Sequence, residues 1–161
     1  MSFSSILAGM VFLALNFAAA SSGALFQPGP WYDTLRKPSW NPPKWAFPVV
    51  WSVLYLMIAV AGWLVWLEAG FFGAWLALAV YLIQLILNAL WSAIFFGLRR
   101  MDLASLEVLA LWLSIAVTIA LFWPISSTAA VLMVPYLVWV TIAAALNWTV
   151  WRMNVGTPQT E

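Results

Sequence analysis

Residues 74–100 read AWLALAVYLIQLILNALWSAIFFGLRR, and this stretch decides the class of the protein. Its first 25 residues carry no charged side chain, and the apolar run stops at Arg99 and Arg100. A helix needs about 20 mostly apolar residues to cross the hydrocarbon core of a bilayer. The stretch therefore predicts a membrane-spanning helix with its charged end at the membrane surface.

The composition of the whole chain is that of a membrane protein. Of its 161 residues, 66% are apolar and 7% are charged, whereas a soluble domain carries about 25% charged residues. The absence of His and Cys excludes disulfides, zinc sites, thiolate nucleophiles and His-dependent triads, and no metal site is expected. A formal net charge of +1 provides no basic surface for nucleic acid.

Five apolar runs are bounded by charge, Pro or Gly. They predict an all-α, five-transmembrane-helix bundle, one membrane domain over 1–161 with helices at 5–25, 46–67, 74–98, 103–123 and 129–150. No Lys or Arg precedes the first run, so we interpret it as an uncleaved span and not as a signal peptide. Pro135 lies inside the fifth run and predicts a kink there.

The positive charges predict the orientation of the bundle. Five crossings put the first loop, the third loop and the C-terminal end on one side of the membrane. All Lys and Arg residues lie on that side: Arg36, Lys37, Lys44, Arg99, Arg100 and Arg152. The positive-inside rule then places the N-terminus outside and the C-terminus in the cytosol of a bacterial cell.

Tryptophans are unusually frequent, with 13 in the chain. Most lie near predicted helix ends, where indole rings form a belt at headgroup depth. Four lie several residues inside the predicted spans, namely Trp51, Trp91, Trp112 and Trp139. These four face lipid, another helix or a cavity.

Polar and aromatic residues form stripes on three predicted helices. One stripe, on the third helix, comprises Gln84, Asn88, Trp91 and Phe95. Because an amide facing lipid is costly, this stripe should point into the bundle. Matching stripes on the second and fifth helices comprise Trp51, Tyr55, Ile58 and Gly62, and Tyr136, Trp139, Ala143 and Asn147. The stripes either bond to one another and close the bundle, or line a ligand cavity.

Two further features of the predicted helices have alternative interpretations. The opposite face of the third helix carries the small residues Ala89, Ala93 and Gly97, which predict a close-packed seam, such as a dimer seam. On the fourth helix, Glu107 lies about one turn inside the cytosolic end. We expect Glu107 to pair with an arginine, Arg99, Arg100 or Arg152; the alternative is a carboxylate used in proton-coupled transport.

The first loop, residues 27–45, reads QPGPWYDTLRKPSWNPPKW. Proline lowers the entropy lost on ordering, and the aromatic side chains supply apolar area that can dock onto the helix ends. Loops of this length are usually functional or disordered. The composition therefore predicts a folded lid at the cytosolic side of the bundle.

Four segments together resemble the TspO family, the tryptophan-rich sensory proteins of bacteria related to the mitochondrial translocator protein or peripheral benzodiazepine receptor. They are WYDTLRKPSWNPPKW, VVWSVLY, QLILNALWSAIFFGLRR and PYLVWVTIAAALNWTVWRMN, in the family's order and spacing. The resemblance implies a five-helix bundle in the lipid bilayer, frequently a homodimer. It implies a pocket under the first loop for porphyrins, haem-type tetrapyrroles and other apolar small molecules, bound as ligands, with no cofactor required.

Positions matched to the family imply the residues of this pocket: Ser22, Tyr32, Trp51, Tyr55, Asn88, Trp91, Phe95, Trp139, Ala143 and Leu146. Trp51 and Trp139 match tryptophans proposed in the family to take part in photo-oxidative porphyrin breakdown, so that activity is an alternative to binding or carriage. A sterol or small-molecule transporter is another. The sterol-like segment comprises Asn147, Trp148, Trp151 and Arg152, with Trp148 where the sterol pattern has Tyr.

Overall fold

The computed structural model describes residues 2–156, and in that range five helices are long and apolar enough to span a membrane. They are α1 (Phe3–Leu25), α3 (Ala46–Gly73), α4 (Trp75–Ser92), α5 (Met101–Phe122) and α6 (Ser127–Asn154). A short helix, α2 (Pro30–Thr34), lies in the first loop, and α4 continues as a π-helical turn over Ala93–Gly97. Residues 2–156 contain no β-strand. The predicted all-α, five-helix class is confirmed.

Several predicted helix ends are wrong. Helix α3 continues past 67 to Gly73, and α6 continues past 150 to Asn154. Glu68 ends the apolar run in the sequence but not the helix. Its side chain is exposed, so its charge does not interrupt the backbone hydrogen bonds. Helix α3 is broken near its end, where Gly70 has φ 65°. The third predicted helix is not α-helical throughout, because its last turn widens into the π-helix.

The five long helices close into a ring in the order α1, α3, α6, α5, α4, with α4 returning to α1. Consecutive helices α3 and α4 touch little because α1 lies between them. Gly62 of α3 permits this arrangement. A Cβ atom there would lie 2.7 Å from the Phe12 ring of α1 and 2.9 Å from the Tyr81 ring of α4.

Buried apolar side chains form two clusters. The larger one fills the bundle, and the smaller one lies where the first loop meets the helix ends. Tyr32 and Leu35 of the first loop are buried in the smaller cluster against residues of the π-turn, α5 and α6: Phe95, Met101, Ala104, Leu146 and Val150. The first loop is thus folded onto this end of the bundle, and we call residues 27–45 the lid.

Candidate ligand-binding site

Three helices meet at Asn88, deep inside the bundle. Its Oδ1 accepts a hydrogen bond from the Tyr55 hydroxyl at 2.5 Å, and its Nδ2 donates to the Tyr136 hydroxyl at 2.8 Å. Tyr136 is fully buried. A polar group in a membrane interior must find such partners within the protein. The inward-facing stripes therefore meet, and at these three residues they bond to one another as the closed-bundle alternative predicts.

A layer of aromatic rings lies one to two turns nearer the lid than this network. Trp91 follows Asn88 by three residues and Trp139 follows Tyr136 by three, so each indole is displaced by roughly 4.5 Å along its helix. Five side chains form what we call the aromatic layer: Phe47, Trp51, Trp91, Phe95 and Trp139. Within the layer, the ring centroids of Phe47 and Trp139 lie 5.9 Å apart and those of Trp91 and Phe95 lie 5.2 Å apart. Trp51 contacts the network instead, with its centroid 5.4 Å from that of Tyr55.

Two indole nitrogens of this layer lack a partner. The Nε1 atoms of Trp91 and Trp139 are buried and have no hydrogen-bond acceptor among residues 2–156. A buried donor left without an acceptor costs about 1–3 kcal/mol. The aromatic layer therefore offers two N–H groups to an acceptor from outside the chain.

The lid covers the aromatic layer at Phe95. Trp31 and Tyr32 each meet the Phe95 ring edge-on, with centroids 6.0 and 6.2 Å apart, and Tyr32 also meets Phe96 at 5.5 Å. The π-turn explains how Phe95 and Phe96 can both contact Tyr32, because its wider turn changes the register of the helix face at this point. Such turns are frequent at functional sites.

Polar contacts hold the lid in place. Asn154, at the end of α6, bonds to both backbone groups of Arg36, each at 3.0 Å. Within the lid, Lys44 pairs with Asp33 at 2.6 Å, and this hydrogen bond holds the pKa of Asp33 below its usual value. Burial raises the pKa of the Tyr32 phenol. The lid is thus ordered by both apolar and polar contacts.

The ten residues implied for the pocket do not all lie in the same region of the structure. Seven belong to the network, the aromatic layer or the lid contact: Tyr32, Trp51, Tyr55, Asn88, Trp91, Phe95 and Trp139. Ser22 instead donates to the carbonyl of Ala89 at 2.5 Å, joining α1 to α4. Leu146 is buried in the cluster under the lid, and Ala143 is half-buried one turn beyond Trp139.

The implied set lacks several aromatic residues of this region, among them Tyr136 and Phe47. Tyr136 completes the network, and Phe47 contacts Trp139. Each had a signal in the sequence, since Tyr136 heads the stripe of the fifth predicted helix and Phe47 precedes Trp51 by four residues on the second.

Comparison with known proteins identifies the family. Residues 10–152 match the TspO/MBR family. This chain belongs to the TspO/MBR family. It is 44% identical over 147 residues to protein CrtK of Rhodobacter capsulatus, covering 91% of this chain and 92% of that protein. It is 43% identical over 150 residues to the tryptophan-rich sensory protein of Cereibacter sphaeroides, with 93% of each covered. With the human translocator protein it shares 41% identity over 128 residues, 78% of this chain and 76% of that protein.

Family membership and the five apolar helices identify an integral, multi-pass membrane protein in contact with the lipid bilayer. The names of its relatives, sensory protein and translocator protein, support a membrane receptor or transporter. Relatives from bacteria are among the most similar.

The small-residue stripe of this TspO/MBR chain packs within the chain at both ends. Ala89 accepts the hydrogen bond of Ser22, as described above. A Cβ atom on Gly97 would lie 2.8 Å from the ring of Phe26, which follows α1. The close approach predicted for this stripe is thus made, at Ala89 and Gly97, by α1 and by Phe26, the residue that follows it.

The sterol-like segment does not form one surface. Asn147 is buried in the contact between α5 and α6, where its Nδ2 donates to Ser105 Oγ at 2.5 Å. Trp148 is exposed and meets Trp151 edge-on at 5.0 Å, and Arg152 is exposed as well. Trp148 also lines a lipid-facing groove of about 250 Å³ between α5 and α6.

The expected pairing of Glu107 with an arginine is wrong. Arg100 instead forms a two-pronged bond with Asp102, at 2.7 and 2.8 Å, because Asp102 lies only two residues away. Arg99 lies over the Trp31 ring, 5.9 Å from its centroid. Both carboxylate oxygens of Glu107 are buried without a hydrogen-bond partner among residues 2–156.

Proposed function

We propose that this TspO/MBR chain is a membrane receptor or carrier that binds a tetrapyrrole, a porphyrin or haem-type ring, in the aromatic layer beneath the lid. The observation that carries this proposal is the pair of buried, unpartnered indole N–H groups of Trp91 and Trp139. In a membrane interior, water cannot readily supply the missing acceptors. A ligand with carboxylate oxygens at its edge supplies them.

The shape and chemistry of the layer favour a flat ligand. Aromatic rings stack on conjugated surfaces, and each such contact adds about 0.5–1.5 kcal/mol beyond its buried area. The Tyr55–Asn88–Tyr136 network forms the floor of this region, and Tyr32 of the lid forms its roof. In the closed bundle the rings contact one another in pairs, Phe47 with Trp139 and Trp91 with Phe95, so a macrocycle enters by replacing ring-to-ring contacts with ring-to-ligand contacts.

The experiment is a titration of protoporphyrin IX followed by the shift of its Soret band in detergent. The test variant is Trp91→Phe with Trp139→Phe, which keeps two aromatic rings and removes two N–H donors. The control is Trp75→Phe with Trp123→Phe, because both of these indoles are exposed, at 60% and 59%. We expect the test variant to bind about tenfold or more weakly and the control to match the parent protein. Equal affinity in all three proteins contradicts the proposed site.

Two further properties belong to this proposal. The distribution of Lys and Arg supports an orientation with the N-terminus outside and the C-terminus in the cytosol. A homodimer is also proposed, with Ala93 as the residue that tests it, since a small residue on a helix face lets another helix come close. Replacing Ala93 with Leu should then separate the copies in size-exclusion chromatography with light scattering, and an unchanged mass would move the interface elsewhere.

A further inference from the structure

A groove open to the lipid lies between α3 and α6, which are neighbours in the ring. Its volume is about 480 Å³, and ligand pockets occupy about 300–1,000 Å³. At its mouth Val53 and Val138 are 54% and 55% exposed, whereas Leu54, which also lines it, is 3% exposed. The groove, which we call the α3/α6 groove, therefore leads from the lipid into the bundle. Residues that line it include Val49, Val53, Leu54, Val134, Val138 and Trp139.

Trp139 belongs to both the α3/α6 groove and the aromatic layer. It lines the groove, and its ring meets Phe47 of the layer edge-on at 5.9 Å. Its indole N–H is buried without an acceptor among residues 2–156. That group is also the one side-chain N–H or O–H on the described residues that line the groove. The groove and the proposed site thus share one residue, and this residue carries a donor that still lacks an acceptor.

Helix α6 is weakened in the wall of this groove. Pro135 lies inside α6 and lines the groove. Proline has no N–H, so the helical hydrogen bond from residue 135 to the carbonyl of residue 131 is absent. Helices bend at interior prolines, and Trp139 follows Pro135 by four residues, about one turn. A bend at Pro135 therefore moves Trp139 relative to Phe47 of α3.

The alternative entrance, under the lid, is closed by polar and apolar contacts. Asn154 bonds to both backbone groups of Arg36, and Tyr32 and Leu35 are buried against the helix ends. Entry from the cytosol requires these contacts to break. The α3/α6 groove opposes a ligand with apolar side chains alone, apart from the Trp139 N–H. In lipid, apolar side chains gain little by contacting each other in place of acyl chains, so this side of the bundle opens at lower cost.

We infer that the ligand reaches the aromatic layer from the lipid bilayer, through the α3/α6 groove and past Trp139. This inference rests on the proposed function and adds the phase that supplies the ligand, which is a flat amphiphile dissolved in the membrane. Val49 lies three residues after the start of α3, so the groove begins near headgroup depth on the lid side. A macrocycle with carboxylates at its edge can keep them among the headgroups while its ring enters the groove.

The experiment measures the rates at which protoporphyrin IX binds to and leaves the full chain in phosphatidylcholine vesicles. Energy transfer from tryptophan to porphyrin is followed in a stopped-flow instrument. The test variant is Val53→Phe with Val138→Phe, which places two rings at the mouth of the groove. The matched control is Val11→Phe with Val117→Phe, the same change at valines of α1 and α5 that are 50% and 46% exposed.

We expect association and dissociation to slow together by about tenfold or more in the test variant, with Kd unchanged within about twofold. A blocked entrance raises the barrier in both directions and leaves the site as it was. The control should keep the parent rates. Since the chain has no cysteine, Val53→Cys modified with benzyl methanethiosulfonate gives a second, reversible block. Removal of the benzyl group by dithiothreitol should restore the parent rates.

Parent rates in both the test variant and the modified thiol overturn the inference, while saturable binding leaves the proposed site standing. A weaker Kd with unchanged association also overturns it, because the groove would then hold the ligand and not admit it. Faster association in Asn154→Ala, with parent rates in the test variant, assigns entry to the lid and overturns it as well. Absence of saturable binding by the parent protein overturns both the inference and the proposed function.

Discussion

The amide side chain of Asn154 forms two hydrogen bonds to the backbone of Arg36. Its Oδ1 accepts from the Arg36 N–H and its Nδ2 donates to the Arg36 carbonyl, each at 3.0 Å, across 118 residues of sequence. The same Nδ2 donates to the carbonyl of Val150 at 2.7 Å, which fixes the side chain against its own helix. One amide thereby ties the middle of the lid to the end of α6.

Replacing Asn154 with Ala should loosen the lid. Two hydrogen bonds to a part-buried backbone are lost, a change worth about 1–3 kcal/mol at the lid. Amide hydrogen exchange over residues 27–45 should accelerate by about tenfold, with little change in the long helices. Met153→Ala alters an exposed neighbour and serves as the control. Identical exchange in both variants would mean that the apolar contacts of Tyr32 and Leu35 hold the lid unaided.

Replacing Asn88 with Ala should destabilise the bundle. Hydrogen bonds between helices in membranes contribute on average about 0.6 and at most about 1.7 kcal/mol each, and two tyrosine hydroxyls lose their partner. We expect a loss of roughly 1–3 kcal/mol, measured by unfolding in mixed micelles. Leu90→Ala, at an exposed position on the same helix, is the control for lost apolar volume. Adding Tyr55→Phe and Tyr136→Phe should recover part of the loss, and an additive penalty would contradict the network.

Gly62 tests the close approach of α1 and α4 to α3, and Gly23 is the matched control. A methyl group on Gly62 would overlap the rings of Phe12 and Tyr81, whereas nothing lies within 4 Å of one on Gly23. Gly62→Ala should cost about 1–3 kcal/mol of stability through overpacking. Gly23→Ala should be neutral or stabilising, since alanine favours a helix. Thermal aggregation in detergent distinguishes the two, and equal behaviour would show that the rings move aside freely.

The orientation can be measured because the chain contains no cysteine. Phe72→Cys and Ser39→Cys place single thiols on opposite sides of the membrane, both at exposed positions. With the lid in the cytosol, a membrane-impermeant maleimide should label Phe72→Cys in intact bacterial cells. It should label Ser39→Cys only after the cells are permeabilised. The reverse pattern would invert the proposed orientation.

The existence and order of the spans could be predicted because lipid imposes one strong requirement, a sufficiently long apolar run. The ends of the helices could not be predicted in the same way. The backbone hydrogen bonds of α3 continue past the charged residue Glu68, and the helix ends only after the break at Gly70. The π-turn could not be predicted either, because the predicted helix faces assume the α-helical period of 3.6 residues. Its residues Phe95 and Phe96 contact Tyr32 of the lid, which lies far away in sequence.

For the candidate site, the sequence predicts which helix face points into the bundle better than it predicts which residues contact one another. The inward direction of Gln84 and Asn88 is confirmed, with 0% and 5% of their surfaces exposed. Spacing cannot tell which chain fills a small-residue stripe, and Phe26 of the same chain meets Gly97. The arginines near Glu107 in the sequence led to a wrong prediction of its partner, because Arg100 binds Asp102, which lies nearer to it in the chain.

The position of α1 between α3 and α4 has a consequence for biogenesis. Helix α1 precedes both of the helices that flank it, so α3 and α4, although consecutive in the chain, do not close on each other as a hairpin. The ring is completed only when α6, the last of these five helices to be synthesised, joins α3 to α5. A nascent chain halted before Ser127 therefore has an open side toward the lipid, and its aromatic interior forms only after translation of the final helix.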